Sequence, residues 1–102
     1  MRLDLPLEQI AAICGKYDVE ELCVFGSVLR GEFRPDSDVD FLVTFQGDDA
    51  GPWFGKYEDM EHDLAALLRR PVDLVSRRAV EESENYIRRK HILETAERVY
   101  GA

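Results

Sequence analysis

The chain has 102 residues, of which 45% are hydrophobic and 33% charged, and its formal net charge is −8 at pH 7. This size supports one domain, residues 1–102, around a single core, and it leaves no room for a separate substrate-recognition domain. The acidic balance disfavours strong nucleic-acid binding, because such binding depends on basic side chains that neutralise phosphates.

No membrane or export signal is recognisable in the sequence. No apolar run approaches the ~20 residues that cross a bilayer, and the N-terminus lacks the basic-then-apolar layout of a secretion signal. We therefore expect a cytoplasmic protein. Cys14 and Cys23 are expected to be buried, reduced thiols, because each lies on the apolar side of its predicted element without a Cys-x-x-Cys motif or paired His.

The first two predicted elements are an amphipathic helix and a buried strand. Asp4 and Pro6 are typical of a helix start, and apolar residues then recur at the spacing of a helix that packs on a sheet. These residues are Leu7, Ile10, Ala11, Cys14 and Tyr17. The run from about Glu21 to Phe25 is apolar, with β-branched and aromatic residues, and predicts a strand.

The pair Gly26-Ser27 predicts a tight turn at the end of this strand, followed by a short helical turn. Gly26 has no Cβ, so the backbone can approach a ligand closely. Ser27 supplies a hydroxyl and an N–H near a helix start, where unpaired amide donors favour phosphate oxygens. The turn is therefore a candidate phosphate-binding element.

A second strand is predicted at Val39 to Phe45, with Asp38 and Asp40 at its start. Because side chains two apart in a strand point the same way, both carboxylates face one side. Such close charges repel each other unless a cation lies between them, and Mg²⁺ prefers carboxylate, phosphate and water oxygens. A phosphate-binding turn beside paired Asp residues is typical of phosphoryl or nucleotidyl transfer.

The complete pattern resembles the signature of the DNA polymerase β-like nucleotidyltransferases: Gly26-Ser27, ten intervening residues, then Asp38-x-Asp40. In its length and its Gly-Ser-x-x-Arg-Gly…Ser-Asp-x-Asp pattern, the chain is similar to the minimal nucleotidyltransferase (MNT) proteins, the small antitoxin partners of HEPN-domain toxins. The resemblance extends from about Leu22 to Tyr100. It implies an α/β fold in which a small mixed β-sheet carries helices on one face.

The family uses a third carboxylate on a later strand, and the only good match here is Asp73 within Pro71 to Val75. The local pattern alone is equally compatible with an Asp73 that faces solvent on an edge strand. The resemblance implies instead that Asp73 completes a triad with Asp38 and Asp40, which together hold two Mg²⁺ ions. Gly26 and Ser27 would then bind the triphosphate of ATP. Arg30 would help to neutralise that triphosphate or would pair with a surface acid such as Glu32.

By resemblance, the expected activity is that of an antitoxin in a type VII-like HEPN/MNT system. The protein would transfer AMP from ATP to a tyrosine of the HEPN toxin, blocking its ribonuclease site, and would form a hetero-oligomer with it. One alternative is a non-catalytic antitoxin that covers its toxin sterically. Another is a nucleotidyltransferase for a small molecule such as an aminoglycoside, although such enzymes usually carry an added domain.

The central part of the chain is predicted to be mostly structural. Gln46 to Pro52 is a surface loop, in which Asp48 and Asp49 are solvated rather than metal ligands. A helix from Trp53 to Arg69 follows, and His62 is expected on its exposed side. Its core-facing stripe is Trp53, Tyr57, Met60, Leu64, Leu67 and Leu68.

The last third contains two basic segments. Ser76-Arg77-Arg78 lies close to Asp73 and could contact nucleotide phosphates or an acidic partner, or simply be exposed. Ser83 is a candidate N-cap for a last helix, in which Arg88 to His91 form a positive band beside an exposed Tyr86. This helix is a candidate partner surface. Arg98 to Tyr100 is expected to be a short strand that closes the sheet.

Overall fold

Residues 5–26, 38–47 and 55–101 are described by a computed structural model, and four strands and four helices lie within these ranges. In chain order they are α1 (Leu7–Lys16), β1 (Val19–Phe25), β2 (Val39–Phe45), α2 (Lys56–Leu68), β3 (Val72–Ser76), α3 (Arg77–Glu81), α4 (Tyr86–Thr95) and β4 (Glu97–Tyr100). None of these helices is long and apolar enough to cross a membrane.

The four strands form one mixed sheet in the order β3-β2-β1-β4. β1 is antiparallel to both β2 and β4, whereas β2 and β3 are parallel. The expected small mixed sheet is therefore confirmed, and the C-terminal strand joins it at the edge formed by β1. Every predicted strand is present, with β1 beginning at Val19 and β4 at Glu97, slightly earlier than expected.

One face of the sheet forms the main core with α1 and α2. Val39, Phe41 and Val43 alternate along β2 on this face, and each has 0% of its surface exposed. Ile10 and Cys14 from α1 and Met60 and Leu64 from α2 pack against the same face, as the helical stripes predict. Burial raises the pKa of the Cys14 thiol to about 12, so this cysteine stays protonated. The prediction of buried, reduced cysteines is confirmed for Cys14 and Cys23.

The expectation that helices lie on one face only is wrong. On the second face, Cys23, Phe25 and Leu42 form a smaller buried cluster with Val80 of α3 and Ile92 of α4. The reason is that strand alternation turns these three strand residues away from the main core, and apolar side chains left there need a cover. Helices α3 and α4 provide that cover.

The start of α4 also differs from the prediction. Asn85, not Ser83, is the N-cap: its Oδ1 accepts the backbone N–H of Arg88 at 3.1 Å. The Oγ of Ser83 accepts the N–H of Asn85 at 3.2 Å instead, so Ser83 shapes the turn that precedes the helix. The predicted second helix is present as α2, and Trp53 at its expected start lies outside the described residues.

A polar cluster joins α1 to α2 at the rim of the main core. The hydroxyl of Tyr17, which is 2% exposed, donates to Asp63 Oδ2 at 2.6 Å, and Lys16 Nζ donates to the same oxygen at 3.0 Å. The hydrogen bonds from Tyr17 and Lys16 lower the pKa of Asp63, and burial raises the pKa of Tyr17. The ionised carboxylate of Asp63 is thus the stabilising form.

Replacing Tyr17 by Phe should lower the free energy of unfolding by about 1 kcal/mol near pH 7, because it removes a hydrogen bond to a charged acceptor. Asp63 has a lowered pKa in the folded state, so its contribution is complete above its unfolded pKa and is lost as the pH falls through the folded value. The difference in free energy of unfolding between wild type and Tyr17→Phe, measured by urea unfolding, should therefore shrink below about pH 4. A difference that stays constant down to pH 2 would contradict this account.

Candidate active site

The end of β1 and the starts of β2 and β3 meet at one end of the sheet. Phe25 of β1 is the register partner of Asp40 on β2, and Asp40 is in turn the register partner of Asp73 on β3. Asp40 therefore lies between the strand that leads into Gly26 and the strand that carries Asp73. Two acids separated by 33 positions in sequence are brought side by side by the parallel pairing of β2 and β3.

Both acids lie on the face of the sheet opposite the main core. Their neighbours Val39 and Val72 point into that core, with 0% and 8% of their surfaces exposed, so strand alternation turns Asp40 and Asp73 the other way. Asp73 is exposed and Asp40 is half-buried. The hydrophobic pattern that buries β2 and β3 thus places both carboxylates on one surface.

Asp38 lies immediately before β2 and is exposed. The backbone N–H of Val39 donates to the carbonyl oxygen of Pro71 at 2.9 Å, which ties the chain next to Asp38 to the chain just before β3. Asp38 is two residues from Asp40, so the alternation of an extended backbone places it on the same side. The backbone therefore places Asp38 at the same end of the sheet as Asp40 and Asp73, and the grouping of the three carboxylates stays a prediction.

Gly26 directly follows β1, and the Asp40 carboxylate occupies the space beside its Cα. Its φ is +86°, a conformation that favours glycine. A Cβ at this position would collide with Asp40 Oδ2 and would lie 3.3 Å from Asp40 Cγ. The missing side chain of Gly26 is therefore required for the position of the Asp40 carboxylate, which links the predicted phosphate-binding turn to the predicted metal ligands.

The chemistry of this site suits a hard divalent cation, because its candidate ligands are carboxylates, the groups that Mg²⁺ prefers. Within residues 5–26, 38–47 and 55–101, however, no three His, Cys, Asp or Glu side chains converge closely enough to hold a metal ion. The strand register places the backbone of Asp40 beside that of Asp73. The side chains of Asp38, Asp40 and Asp73 nevertheless do not converge on a common point.

Several predicted residues fall elsewhere. Ser27 and Arg30 lie outside the described residues, as do Asp48 and Asp49. His62 is exposed, as expected. Glu61, to which the sequence pattern assigned no role, accepts the backbone N–H of Leu74 through Oε2 at 3.2 Å. No local pattern reveals this contact, since it joins a helix to a strand.

The basic cluster after β3 forms ion pairs within the chain. Arg77 Nη1 donates to Glu21 Oε1 at 2.5 Å, and its Nε lies 3.4 Å from Glu81 Oε2. Arg78 Nε lies 3.2 Å from Glu82 Oε1. Ser76 is the N-cap of α3, its Oγ accepting the N–H of Ala79 at 3.3 Å. The structure thus shows a role for this cluster that the sequence did not predict, as a set of ion pairs within the chain.

The chain matches a known protein family over most of its length. The family model described as "Nucleotidyltransferase domain" matches residues 7–98, which include all four described site residues. The chain belongs to the nucleotidyltransferase domain family. The match confirms the resemblance that the Gly-Ser and Asp-x-Asp motifs carry.

A curated relative of this nucleotidyltransferase chain is the protein adenylyltransferase MntA of Thermococcus cleftensis. The two are 47% identical over 60 residues, which make up 59% of this chain and 58% of the relative. The chain thus spans a little over half the length of that relative.

Solved structures share the fold. A minimal nucleotidyltransferase with 33% identity has a TM-score of 0.67, and the match covers 88% of this chain and 85% of that one. A toxin–antitoxin structure with AMP-PNP has a TM-score of 0.72 at 18% identity, covering 96% and 75% of the two chains. A complex of the tri-AMPylated Shewanella oneidensis HEPN toxin with its MNT antitoxin has a TM-score of 0.55 at 16% identity, covering 94% and 70%.

Replacing Gly26 by Ala should reduce nucleotide transfer by ~100-fold or more, since the new Cβ displaces the Asp40 carboxylate. Gly47→Ala is the matched control, because Gly47 also has a positive φ, +69°, but open space around its Cβ position. Both variants should lose about 1 kcal/mol of stability from the backbone conformation alone. Activity and thermal unfolding measured on both variants separate the two effects, and equal activity losses would contradict the proposed role of Gly26.

Proposed function

We propose that this chain is an antitoxin that transfers AMP from ATP to a tyrosine of a HEPN toxin and also binds that toxin. The observation that carries the proposal is the pairing of Asp40 with Asp73, next to a glycine whose missing side chain makes room for Asp40. The name of the Thermococcus cleftensis relative and the AMPylated toxin in the Shewanella oneidensis complex support adenylylation of a HEPN partner.

The proposed roles follow from where the residues lie. Asp38, Asp40 and Asp73 would hold Mg²⁺, which when bound neutralises phosphate charge and lowers the pKa of the acceptor hydroxyl. Gly26 leaves its backbone open to the triphosphate, and Ser27 and Arg30 are proposed to bind phosphate oxygens beside it. Protein groups that fix ATP and the acceptor in line supply most of the remaining rate enhancement.

The transfer replaces a phosphoanhydride bond of ATP by a phosphoester bond to tyrosine. The tyrosine oxygen forms a bond to the α-phosphorus of ATP as the bond from that phosphorus to pyrophosphate breaks. Pyrophosphate leaves, and the tyrosine proton is released to solvent. Neither step requires a redox group or a covalent enzyme intermediate, which agrees with a site whose described polar groups are carboxylates.

The test incubates the purified chain with ATP, Mg²⁺ and the HEPN protein encoded beside it, and measures the intact masses of both proteins. We expect a nucleotide-sized mass gain on the HEPN protein. Asp38→Asn and Asp40→Asn should each lower the rate at least ~100-fold, more than the ~10–100-fold typical of groups that only orient a metal ligand. Asp59→Asn, an exposed acid on α2, is the matched control and should react like wild type.

Other results would favour the alternatives. A stable complex without any mass gain, together with full rescue from toxicity by the Asp38→Asn/Asp40→Asn double variant, would indicate a non-catalytic antitoxin. Label from α-labelled ATP that enters a small molecule, but no protein, would indicate a small-molecule nucleotidyltransferase. Either result would contradict protein adenylylation, provided that circular dichroism shows each protein to be folded.

The proposed surface for the HEPN partner is the outer face of α4. Tyr86 and Ile87 are 59% and 80% exposed, an unusual pair of large apolar side chains at adjacent positions. Exposed Arg88 and Lys90 follow them directly, so the patch is basic on a chain with a net charge of −8. An acidic, partly apolar face of the HEPN protein would complement it.

Replacing Ile87 by Asp should weaken the complex at least tenfold, because it places a carboxylate in the middle of the apolar contact and offsets the basic band. Leu7→Asp is the matched control: Leu7 is 52% exposed on α1, which packs on the opposite face of the sheet. Isothermal titration of both variants with the HEPN protein compares the two surfaces. A loss caused by Leu7→Asp but not by Ile87→Asp would place the interface elsewhere.

A further inference from the structure

Among the strands that the structure describes, β3, which carries Asp73, lies at the edge of the sheet. An edge strand is paired along one side only, and its outward N–H groups need another partner or water. Edge strands therefore shift more easily than central strands, whereas a carboxylate in a metal or nucleotide site must be held closely in place. If Asp73 is a site residue, β3 therefore needs a stabilising contact on its outer side.

Glu61 of α2 provides a contact on that side. Its Oε2 accepts the backbone N–H of Leu74 at 3.2 Å. This N–H belongs to the peptide bond that joins Asp73 to Leu74. On the inner side, β2 pairs with the same segment through the partners Asp40 and Asp73 and the partners Phe41 and Leu74. The peptide next to Asp73 is therefore held between β2 and a carboxylate of α2.

Packing around Leu74 and Glu61 stabilises this hydrogen bond. Leu74 is 7% exposed and packs in the main core together with Met60 and Leu64, the residues that anchor α2 on the sheet. Glu61 is half-buried, next in sequence to Met60. A hydrogen bond to an ionised carboxylate is stronger than one between neutral groups, and partial burial strengthens it further. The packing of α2 thus fixes the point from which Glu61 reaches β3.

We infer that Glu61 is a positioning residue for Asp73, acting through the Asp73–Leu74 peptide. This inference rests on the proposed function, since it assigns Glu61 a role in the same site. Asp73 is proposed to help hold the Mg²⁺ that lowers the pKa of the acceptor hydroxyl, whereas the Gly-Ser turn is proposed to bind ATP. Loss of Glu61 should therefore lower kcat and leave the KM for ATP nearly unchanged.

The experiment compares Glu61→Ala, which removes the acceptor, with Glu61→Gln, which retains a neutral acceptor oxygen at the same reach. Glu58→Ala is the matched control, because Glu58 is an exposed acid on the same helix. For each variant, kcat and KM for ATP are measured with the HEPN protein. Amide hydrogen exchange by NMR gives the protection of Leu74 relative to the amides of β2, and a Mg²⁺ titration follows the Asp73 amide shift.

We expect Glu61→Ala to speed exchange at Leu74 at least tenfold, to lower kcat at least tenfold at unchanged KM, and to weaken Mg²⁺ binding at Asp73 at least threefold. Glu61→Gln should recover most of each loss, and Glu58→Ala should behave like wild type. If the alanine variant unfolds, Glu61→Asp replaces it, because the carboxylate is then withdrawn by one methylene while the charge is kept.

Two results would overturn the inference. One is a folded Glu61→Ala protein with faster Leu74 exchange but kcat within twofold of wild type, which would make Glu61 a structural residue alone. The other is an equal loss in Glu61→Gln and Glu61→Ala, which would mean that charge and not hydrogen bonding matters. If the wild type transfers no nucleotide, the proposed function fails, and the exchange and Mg²⁺ measurements still decide whether Glu61 positions Asp73.

Discussion

The parallel pairing of β2 with β3 is the constraint on which the site depends. Each strand begins with one residue that enters the main core followed by one acid that cannot: Val39 and Asp40, and Val72 and Asp73. A slip of one residue in either strand would move a carboxylate into the core and an apolar side chain out of it, and desolvating that charge costs far more than the pairing gains. Burial of the core therefore sets the register, and the register brings Asp40 and Asp73 together.

The second face of the sheet has a buried apolar part and an acidic part, and strand alternation places both there. Further along β2, Leu42 joins Cys23 and Phe25 under the cover of α3 and α4, and it is 2% exposed. At the start of the strand, Asp38 and Asp73 are exposed and Asp40 is half-buried, because desolvating an ionised carboxylate costs free energy. Helices α3 and α4 thus cover the second face while Asp38 and Asp73, at the end of the sheet, stay exposed.

Charge is distributed unevenly over the rest of the chain. In the basic cluster after β3, the ion pair of Arg77 with Glu21 anchors α3 to β1. The pairs with Glu81 and Glu82 lie within the helical segment itself. On α4, by contrast, Tyr86 is flanked by the cations of Arg89 and Lys90, whose charged groups lie 5.4 and 6.0 Å from its ring centre. The chain therefore uses one basic segment to complete its own fold, whereas Arg88 and Lys90 of the other segment are exposed.

The sequence by itself determined the elements and the family. Period-two and helical spacings located the four described strands and the helices α1, α2 and α4, and Gly26-Ser27 with Asp38-x-Asp40 identified the nucleotidyltransferase family, because local periodicity and short motifs are carried by neighbouring residues. Asp73 was suggested only by resemblance, since a single acid in a short strand is ambiguous. The tertiary structure alone decided that Asp40 faces Asp73, that α3 and α4 cover the second face, that Asn85 caps α4, and that Glu61 reaches Leu74. These features depend on contacts between residues distant in sequence or on the exact start of a helix, and local propensity does not specify either.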